Sequence, residues 1–351
     1  MKSVRASLYV FAILLCSTVF YACEHRELTD STNVHYLRVY LDDQIKNVNC
    51  GIYNEEYKRP SYNRPTALRA VLISQTTGKI VGESIIRNYA SDSRGNYMDG
   101  YIAAPGADCH LLVYQMGSPT TLIRNYDDYK SITAYTENID EYLQGYLPTI
   151  SKNPEDDRIV LEPDHLMYTK CDDVSVEYTT SVDTLRNEAG DYFTAKSISK
   201  SYYLQMKIKG VEWVHAAAGA LSGMAGSARI GYMDGIDETD PVNLFFRFEY
   251  ADKQKRASDE ASTAVLYATF TTFGKIPDSP SVLALDFEFT KKDGTTQVET
   301  IDLTEEFTTP MAIENQWILL DKEIVINAPS GTGGMAPGVE GWKDVEADIV
   351  M

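Results

Sequence analysis

Nearly every readable segment of this chain alternates apolar and polar residues with a period of two. That period sends successive side chains to opposite faces of an extended backbone, so it commits the chain to sheets with one face on a core. Tyr36-Leu37-Arg38-Val39-Tyr40-Leu41 opens the series. Ala70-Val71-Leu72-Ile73-Ser74 and Ile80-Val81-Gly82-Glu83-Ser84-Ile85-Ile86 follow, joined across Thr76-Thr77-Gly78-Lys79 as a hairpin. Gly100-Tyr101-Ile102-Ala103 leads through Pro105-Gly106 into a returning strand, Cys109-His110-Leu111-Leu112-Val113-Tyr114. Further strands are expected over residues 131–135, 159–164, 202–208, 242–250, 263–273, 283–289, 297–303, 322–326 and 344–350. Lys292-Asp293-Gly294-Thr295 is the strongest hairpin signal. Residues 137–147 read as a short helix, with Ile139, Tyr142, Leu143 and Tyr146 at helical spacing before Pro148. Residues 181–190 read as a loop. Many short strands with turns between them predict an all-β fold of two tandem antiparallel β-sandwiches.

The first 22 residues stand apart. Lys2 and Arg5 precede an apolar run over residues 6–22, which ends Phe20-Tyr21-Ala22-Cys23 and gives way to Glu24-His25-Arg26-Glu27. A basic start, an apolar stretch short for a bilayer span and a small residue at the cut describe an export signal. A cysteine in the first mature position makes it a lipoprotein signal, with Cys23 as the acylated terminus. The expected organisation is a signal peptide over 1–22, a tether over 23–32, one sandwich over 33–170 and a second over 171–351. Several buried acyl chains hold a protein to a membrane far better than one.

Removing residues 1–22 takes away two basic side chains and no acid, so the formal charge moves from −19 to −21. A chain this acidic repels phosphate backbones and is not drawn by charge to anionic lipid, so nucleic acid is excluded as a partner. Outside the signal the cysteines are Cys23, Cys50, Cys109 and Cys171, spaced like neither a zinc set nor a dense disulfide framework. The expectation is buried or half-buried thiols at Cys50, Cys109 and Cys171, with at most one bridge among them.

A catalytic reading has little to hold. The five histidines, His25, His35, His110, His165 and His215, lie far apart, and no HExxH, GxSxG, P-loop or CxxC motif occurs. Cys109 and His110 are strand neighbours, which point to opposite faces and cannot pair as nucleophile and base. The glycine-rich stretch over residues 330–338 precedes a strand rather than a helix, so it offers no phosphate cradle. Asp234, Asp237, Glu238 and Asp240 match no calcium-loop spacing. No catalytic, metal or cofactor residue is expected. The small-residue run Gly219-Ala220-Leu221-Ser222-Gly223-Met224-Ala225-Gly226 suggests close backbone approach inside a sandwich. Of 24 tyrosines, Tyr53, Tyr57, Tyr62, Tyr89, Tyr97, Tyr126 and Tyr129 fall in expected loops, where a flat ring with a polar tip suits sugar stacking or protein contact.

Together these residues resemble a Bacteroidetes surface lipoprotein of the fimbrillin-like kind. The resemblance is carried by the mature start Cys23-Glu24-His25-Arg26-Glu27-Leu28, by Leu221-Ser222-Gly223-Met224-Ala225-Gly226, by Thr271-Thr272-Phe273-Gly274, and by the ending Gly334-Met335-Ala336-Pro337-Gly338-Val339-Glu340-Gly341-Trp342. It is closest to an uncharacterised lipoprotein family of gut Bacteroides and more distantly similar to minor-fimbrium anchor proteins. The resemblance implies two transthyretin-like sandwiches, a lipid anchor in the outer membrane at the cell surface, and a non-enzymatic role in adhesion as anchor or accessory subunit. Partners would be fimbrillin-like subunits joined by strand addition. Only Cys23 transfers with a defined role. The alternative, from the loop tyrosines, is a glycan-binding outer-membrane lipoprotein of a polysaccharide-utilisation system.

Overall fold

The computed structural model describes residues 33–43, 63–104, 106–139, 158–177, 181–254, 263–289 and 296–327. Its first half carries strands β1 (Val34–Leu41), β2 (Leu68–Ser74), β3 (Ile80–Ile86), β4 (Asn88–Asp92), β5 (Gly95–Ala103), β6 (Ala107–Gln115), β7 (Thr121–Arg124), β8 (Thr133–Thr136), β9 (Ile159–Val160), β10 (Met167–Val176), β11 (Asp183–Thr184) and β12 (Phe193–Ser197). The second half carries β13 (Lys200–Lys209), β14 (Val214–Ala225), β15 (Ser227–Arg229), β16 (Gly235–Ile236), β17 (Pro241–Gln254), β18 (Thr263–Thr272), β19 (Val282–Phe289), β20 (Thr296–Asp302) and β21 (Trp317–Val325). One short helix, α1 (Pro310–Asn315), went unforeseen. Thr309 caps its start by accepting the Ala312 N–H, and Gln316 ends it in the left-handed conformation.

Hydrogen bonding runs in the order β3-β2-β6-β10-β12-β1-β5-β4 in the first large sheet, with β11 beside β1. The second runs β20-β19-β14-β17-β18-β13-β21, with β9 beside β17. Each bends into two layers where a single strand changes partners. In β12, Phe193, Thr194 and Ala195 pair with β1, whereas Lys196 pairs with Tyr168 and Ser197 with Met167 of β10. In β17, the pairing with β14 ends at Phe248, and the pairing with β18 starts at Glu249. Between the layers lie the two cores. The first holds Leu37, Val39, Leu72, Met98, Leu111 and Phe193; the second holds Leu204, Phe246, Leu266, Leu285, Phe287 and Ile318. The alternation read from the sequence accounts for both, since Leu37 and Val39 face inward while Tyr36 and Arg38 do not.

Four differences from expectation have physical causes. The sandwiches are mixed rather than antiparallel: β1 runs parallel to β11 and β12, β13 to β21, and β9 to β17. Long crossovers supply these pairs, which no local turn signal announces. The expected boundary near residue 171 falls inside β10, which pairs with β6 on both sides of a bulge between Cys171 and Val174. Within the two large sheets the chain passes from the first to the second between β12 and β13, β9 alone having joined the second earlier. The segment expected as helix starts with Asn138 in an antiparallel bridge to Val160, and residues 140–147 lie outside the described residues. The loop over residues 181–190 contains the two-residue strand β11.

Within β14 the small residues have the expected role. A Cβ on Gly219 would approach Phe248 to 2.9 Å, and one on Gly223 would lie 2.3 Å from the Pro280 carbonyl oxygen. Gly223 also has a φ of 73°, open to glycine at no steric cost.

A third sheet, ordered β16-β15-β8-β7, takes two strands from each half. It covers the outer face of β2, β6 and β10. Val71, Ile73, Leu112, Tyr114 and Tyr168 pack there against Ile132 and Ala134 of the first half and Ala228, Ile230 and Phe273 of the second. This third core is the seam that joins the two sandwiches.

Candidate functional site

On the opposite layer of the first sandwich, β1, β5 and β4, the outer face carries Tyr101 exposed, Tyr36, Arg38 and Tyr97 half-buried, and Tyr40 and Asp99 buried among them. Its register aligns Tyr36 with Tyr101, Arg38 with Asp99, and Tyr40 with Tyr97, all outward, while Leu37, Val39, Met98 and Ile102 enter the core. Asn88 of β4 stands beside Asp99. The result is a polar row, Asn88-Asp99-Arg38, between two aromatic pairs.

These side chains hold one another in place. The ring centroids of Tyr36 and Tyr101 are 5.7 Å apart at 62°, and those of Tyr40 and Tyr97 are 5.6 Å apart. Tyr192, just before β12, packs on Tyr40 at 5.9 Å. The Arg38 guanidinium lies 4.0 Å from the Tyr97 centroid, and that of Arg186 lies 4.1 Å from Tyr192. Arg38 donates through Nε and Nη2 to the Tyr36 hydroxyl at 3.0 and 2.9 Å, and through Nη1 to Asp92 at 3.3 Å. Tyr36 donates to Asp99, Tyr40 donates to Asp92 at 2.8 Å, and Asn88 donates to Asp99 at 2.5 Å. Burial, then the bond to Asp99, pushes the Tyr36 hydroxyl up to about 12, so it stays a donor at neutral pH. Tyr101 is 59 % exposed.

A second feature is a cleft of about 700 Å³ at the seam, lined by Ser118, Thr120, Leu161, Glu162, His165 and Arg247 among others. The strap after β9 crosses it. Asp164 accepts from Ser118 Oγ at 3.0 Å, Thr120 N–H at 2.6 Å and Thr121 N–H at 3.2 Å, all in the first half. Burial works against its charge, but these bonds hold its carboxyl below the usual range. Glu162 accepts the Thr271 N–H of the second half at 2.7 Å. Burial raises its carboxyl to about 7, opposed only by that bond. His165 reaches Ser197 Oγ at 3.0 Å and Ser201 Oγ at 2.7 Å, and burial lowers it to about 4. The two carboxylates act as staples, one to each half. Both are engaged in fixing backbone.

The other sequence-singled residues scatter. Cys109 is buried in the first core, and His110 points away from it, stacked on Tyr129 at 4.6 Å with Nδ1 2.7 Å from the Asp172 carbonyl. Cys109 and Cys171 are both free thiols. Asp234 pairs with Lys170 at 3.2 Å, Asp237 with Arg229 at 3.7 Å and Asp240 with Arg158 at 2.5 Å, so these acids face separate partners. No His/Cys/Asp/Glu group with metal-site geometry occurs among the described residues. Of the tyrosines expected in loops, Tyr89 and Tyr97 belong to strands, Tyr129 is buried in the seam, and Tyr126 is 59 % exposed. Cys23, Cys50, Tyr53, Tyr57 and Tyr62 lie outside the described residues, as do the glycine-rich stretch over 330–338 and the strand expected over 344–350. The open face itself was missed. Its signal was present in the alternation of Tyr36, Arg38 and Tyr40, which reads as an ordinary solvent face until Tyr97, Asp99 and Tyr101 are set beside it.

A family model described as a domain of unknown function, DUF5119, matches residues 87–245. The chain is 25 % identical over 284 residues to "Putative fimbrium anchoring subunit Fim4B" of Bacteroides ovatus, covering 72 % of this chain and 80 % of that protein. Its fold is similar to the crystal structure of "a putative adhesin" from Bacteroides ovatus, with a TM-score of 0.55 and 20 % identity over 88 % of this chain and 97 % of the other. The fimbrial anchor protein Mfa2 from Porphyromonas gingivalis aligns over 83 % of this chain and 90 % of its own, at 12 % identity and a TM-score of 0.45. In sequence the chain is thus similar to one fimbrium anchoring subunit over most of both chains.

Proposed function

We propose that this chain is a non-enzymatic, lipid-anchored subunit at the base of, or accessory to, a fimbria-like assembly that serves adhesion at the cell surface. The similarity to a fimbrium anchoring subunit, over most of both chains, carries the reading. The described fold is compatible with it: two joined sandwiches, with the cleft acids engaged in backbone bonds rather than in acid–base pairing. In this reading Cys23 is acylated and holds the protein to the outer membrane. Fimbrillin-like subunits add strands to its sheet edges. Among the described strands, β3 and β4 end the first large sheet, and β20 and β21 end the second. Such ends present unpaired backbone groups, which an incoming strand can satisfy.

The test is a tagged chain expressed in its own host with palmitate labelling. Label and outer-membrane fractionation are expected for the native chain and lost in Cys23→Ser, and pilin-like subunits are expected to co-purify. Membrane retention in Cys23→Ser, or purification without any such subunit, would sink the proposal. A glycan-binding surface lipoprotein is the second reading, favoured by the open tyrosine face of β1 and β5. It is compatible with anchoring.

A further inference from the structure

We infer that the outer face of β1, β5 and β4 is a binding site for a neutral oligosaccharide, with Tyr101 and Tyr97 as stacking groups and Asn88 and Arg38, both held by the buried Asp99, as the hydrogen-bonding groups between them. The inference rests on the glycan-binding reading and gives it a place and a ligand class; it is independent of the anchoring role.

Pyranose rings offer an apolar CH face and an equatorial fringe of hydroxyls. They are matched by aromatic rings beside planar polar groups that both donate and accept. From Tyr36 to Tyr40 and from Tyr97 to Tyr101, every outward position is Tyr, Arg or Asp, with no aliphatic side chain. The side chains are already bonded to one another, so ordering them on binding costs little.

Charge narrows the ligand. Arg38 is already engaged by Asp92 at 3.3 Å and Asp99 at 3.7 Å, and with Arg186 over Tyr192 the face is close to balanced on a chain of net charge −19. Sialylated or sulfated sugars would be repelled by that net charge. Spacing narrows it further. The two aromatic pairs are four residues apart along β1, which at about 3.3 Å per residue separates them by roughly 13 Å. One sugar ring cannot touch both pairs. An oligosaccharide can, with its central hydroxyls over the polar row.

The experiment is an array of neutral, sialylated and sulfated oligosaccharides probed with the full chain in detergent. Calorimetry of the strongest neutral hit follows, on the native chain and on Tyr101→Ala, Tyr97→Ala, Tyr101→Phe and the distant exposed control Tyr126→Ala, each checked for folding by circular dichroism. Binding to neutral chains is expected, weaker by about tenfold or more for the matching monosaccharide and for Tyr101→Ala and Tyr97→Ala, and unchanged in Tyr101→Phe and Tyr126→Ala. Absence of binding to any neutral glycan overturns both the site and the glycan reading. Binding that survives both alanine variants overturns the site alone. Loss of fimbrial subunits in Tyr101→Ala, without glycan binding by the native chain, would mark the face as a protein interface instead. None of these outcomes depends on the Cys23 tether.

Discussion

The two layers of the first sandwich share one core and differ in what lies behind them. β2 is buried at every residue: Leu68, Ala70 and Leu72 enter the core, while Val71 and Ile73 enter the seam. β1 and β5 bury their core face and also Tyr40 and Asp99, but leave Tyr36, Arg38 and Tyr97 half-buried and Tyr101 exposed. A layer covered by a second sheet is committed to stability on both faces. An uncovered layer can hold polar and aromatic groups without cost to the core, and it is there that binding chemistry has room.

The largest expected effect comes from placing a charge on each outer face. Leu112→Asp puts an unpaired carboxylate into the seam, where Leu112 is 1 % exposed, and should cost at least about 4 kcal/mol or prevent folding. Tyr101→Asp, on the open face, should stay within about 0.5 kcal/mol. Urea unfolding of both variants checks the contrast; equal losses would erase the distinction between the layers.

Smaller, but more pointed, is Ile230→Ala. Ile230 belongs to the second half and is fully buried in the seam. Its truncation should cost about 2–5 kcal/mol. Amide exchange should rise in β2 and β6 of the first half as well as in the second. If the first half keeps its protection, the seam does not couple the two sandwiches.

A pH series sharpens the same seam. His165 is held neutral by burial, down to about 4, and takes up a proton on unfolding once the pH drops below its ordinary value near 6.5. Its contribution is therefore full above about pH 6.5 and lost as the pH falls toward 4, up to about 3 kcal/mol. Glu162 runs the other way. Its carboxyl is raised to about 7, so its favourable contribution is complete below about 4.5 and lost as the pH rises through 7. Chemical denaturation from pH 4 to 8 should show His165→Gln with a flatter acid limb and Glu162→Gln with a gain at pH 8. Unchanged profiles would contradict the burial of these groups.

The smallest effect expected is that of salt on the open face. Arg38–Asp92 is partly exposed, so raising ionic strength should barely change stability. A marked salt dependence that Asp92→Asn abolishes would show that the polar row supports the fold.

Much of this molecule was legible as strands because period two is a local property: it needs only consecutive side chains and the pleat. β1, β2, β3, β13, β18, β19 and β20 follow from it with small changes at their ends. The sequence also specified the inward set, since Leu37 and Val39 have no other place to go. Parallel partners, the change of layers within β12 and β17, and the seam were not legible, because they join residues far apart in the chain. Ala-Val-Leu-Ile at 70–73 is a continuous apolar run that signals a strand buried on both faces, yet it cannot name the sheet that does the burying. The tyrosines teach the same lesson. Their number and polarity were plain from composition, but only strand register set Tyr36 against Tyr101 and Tyr40 against Tyr97 while it sent Tyr129 into the seam. Local pattern decides which way a side chain points; long-range pairing decides what it meets there.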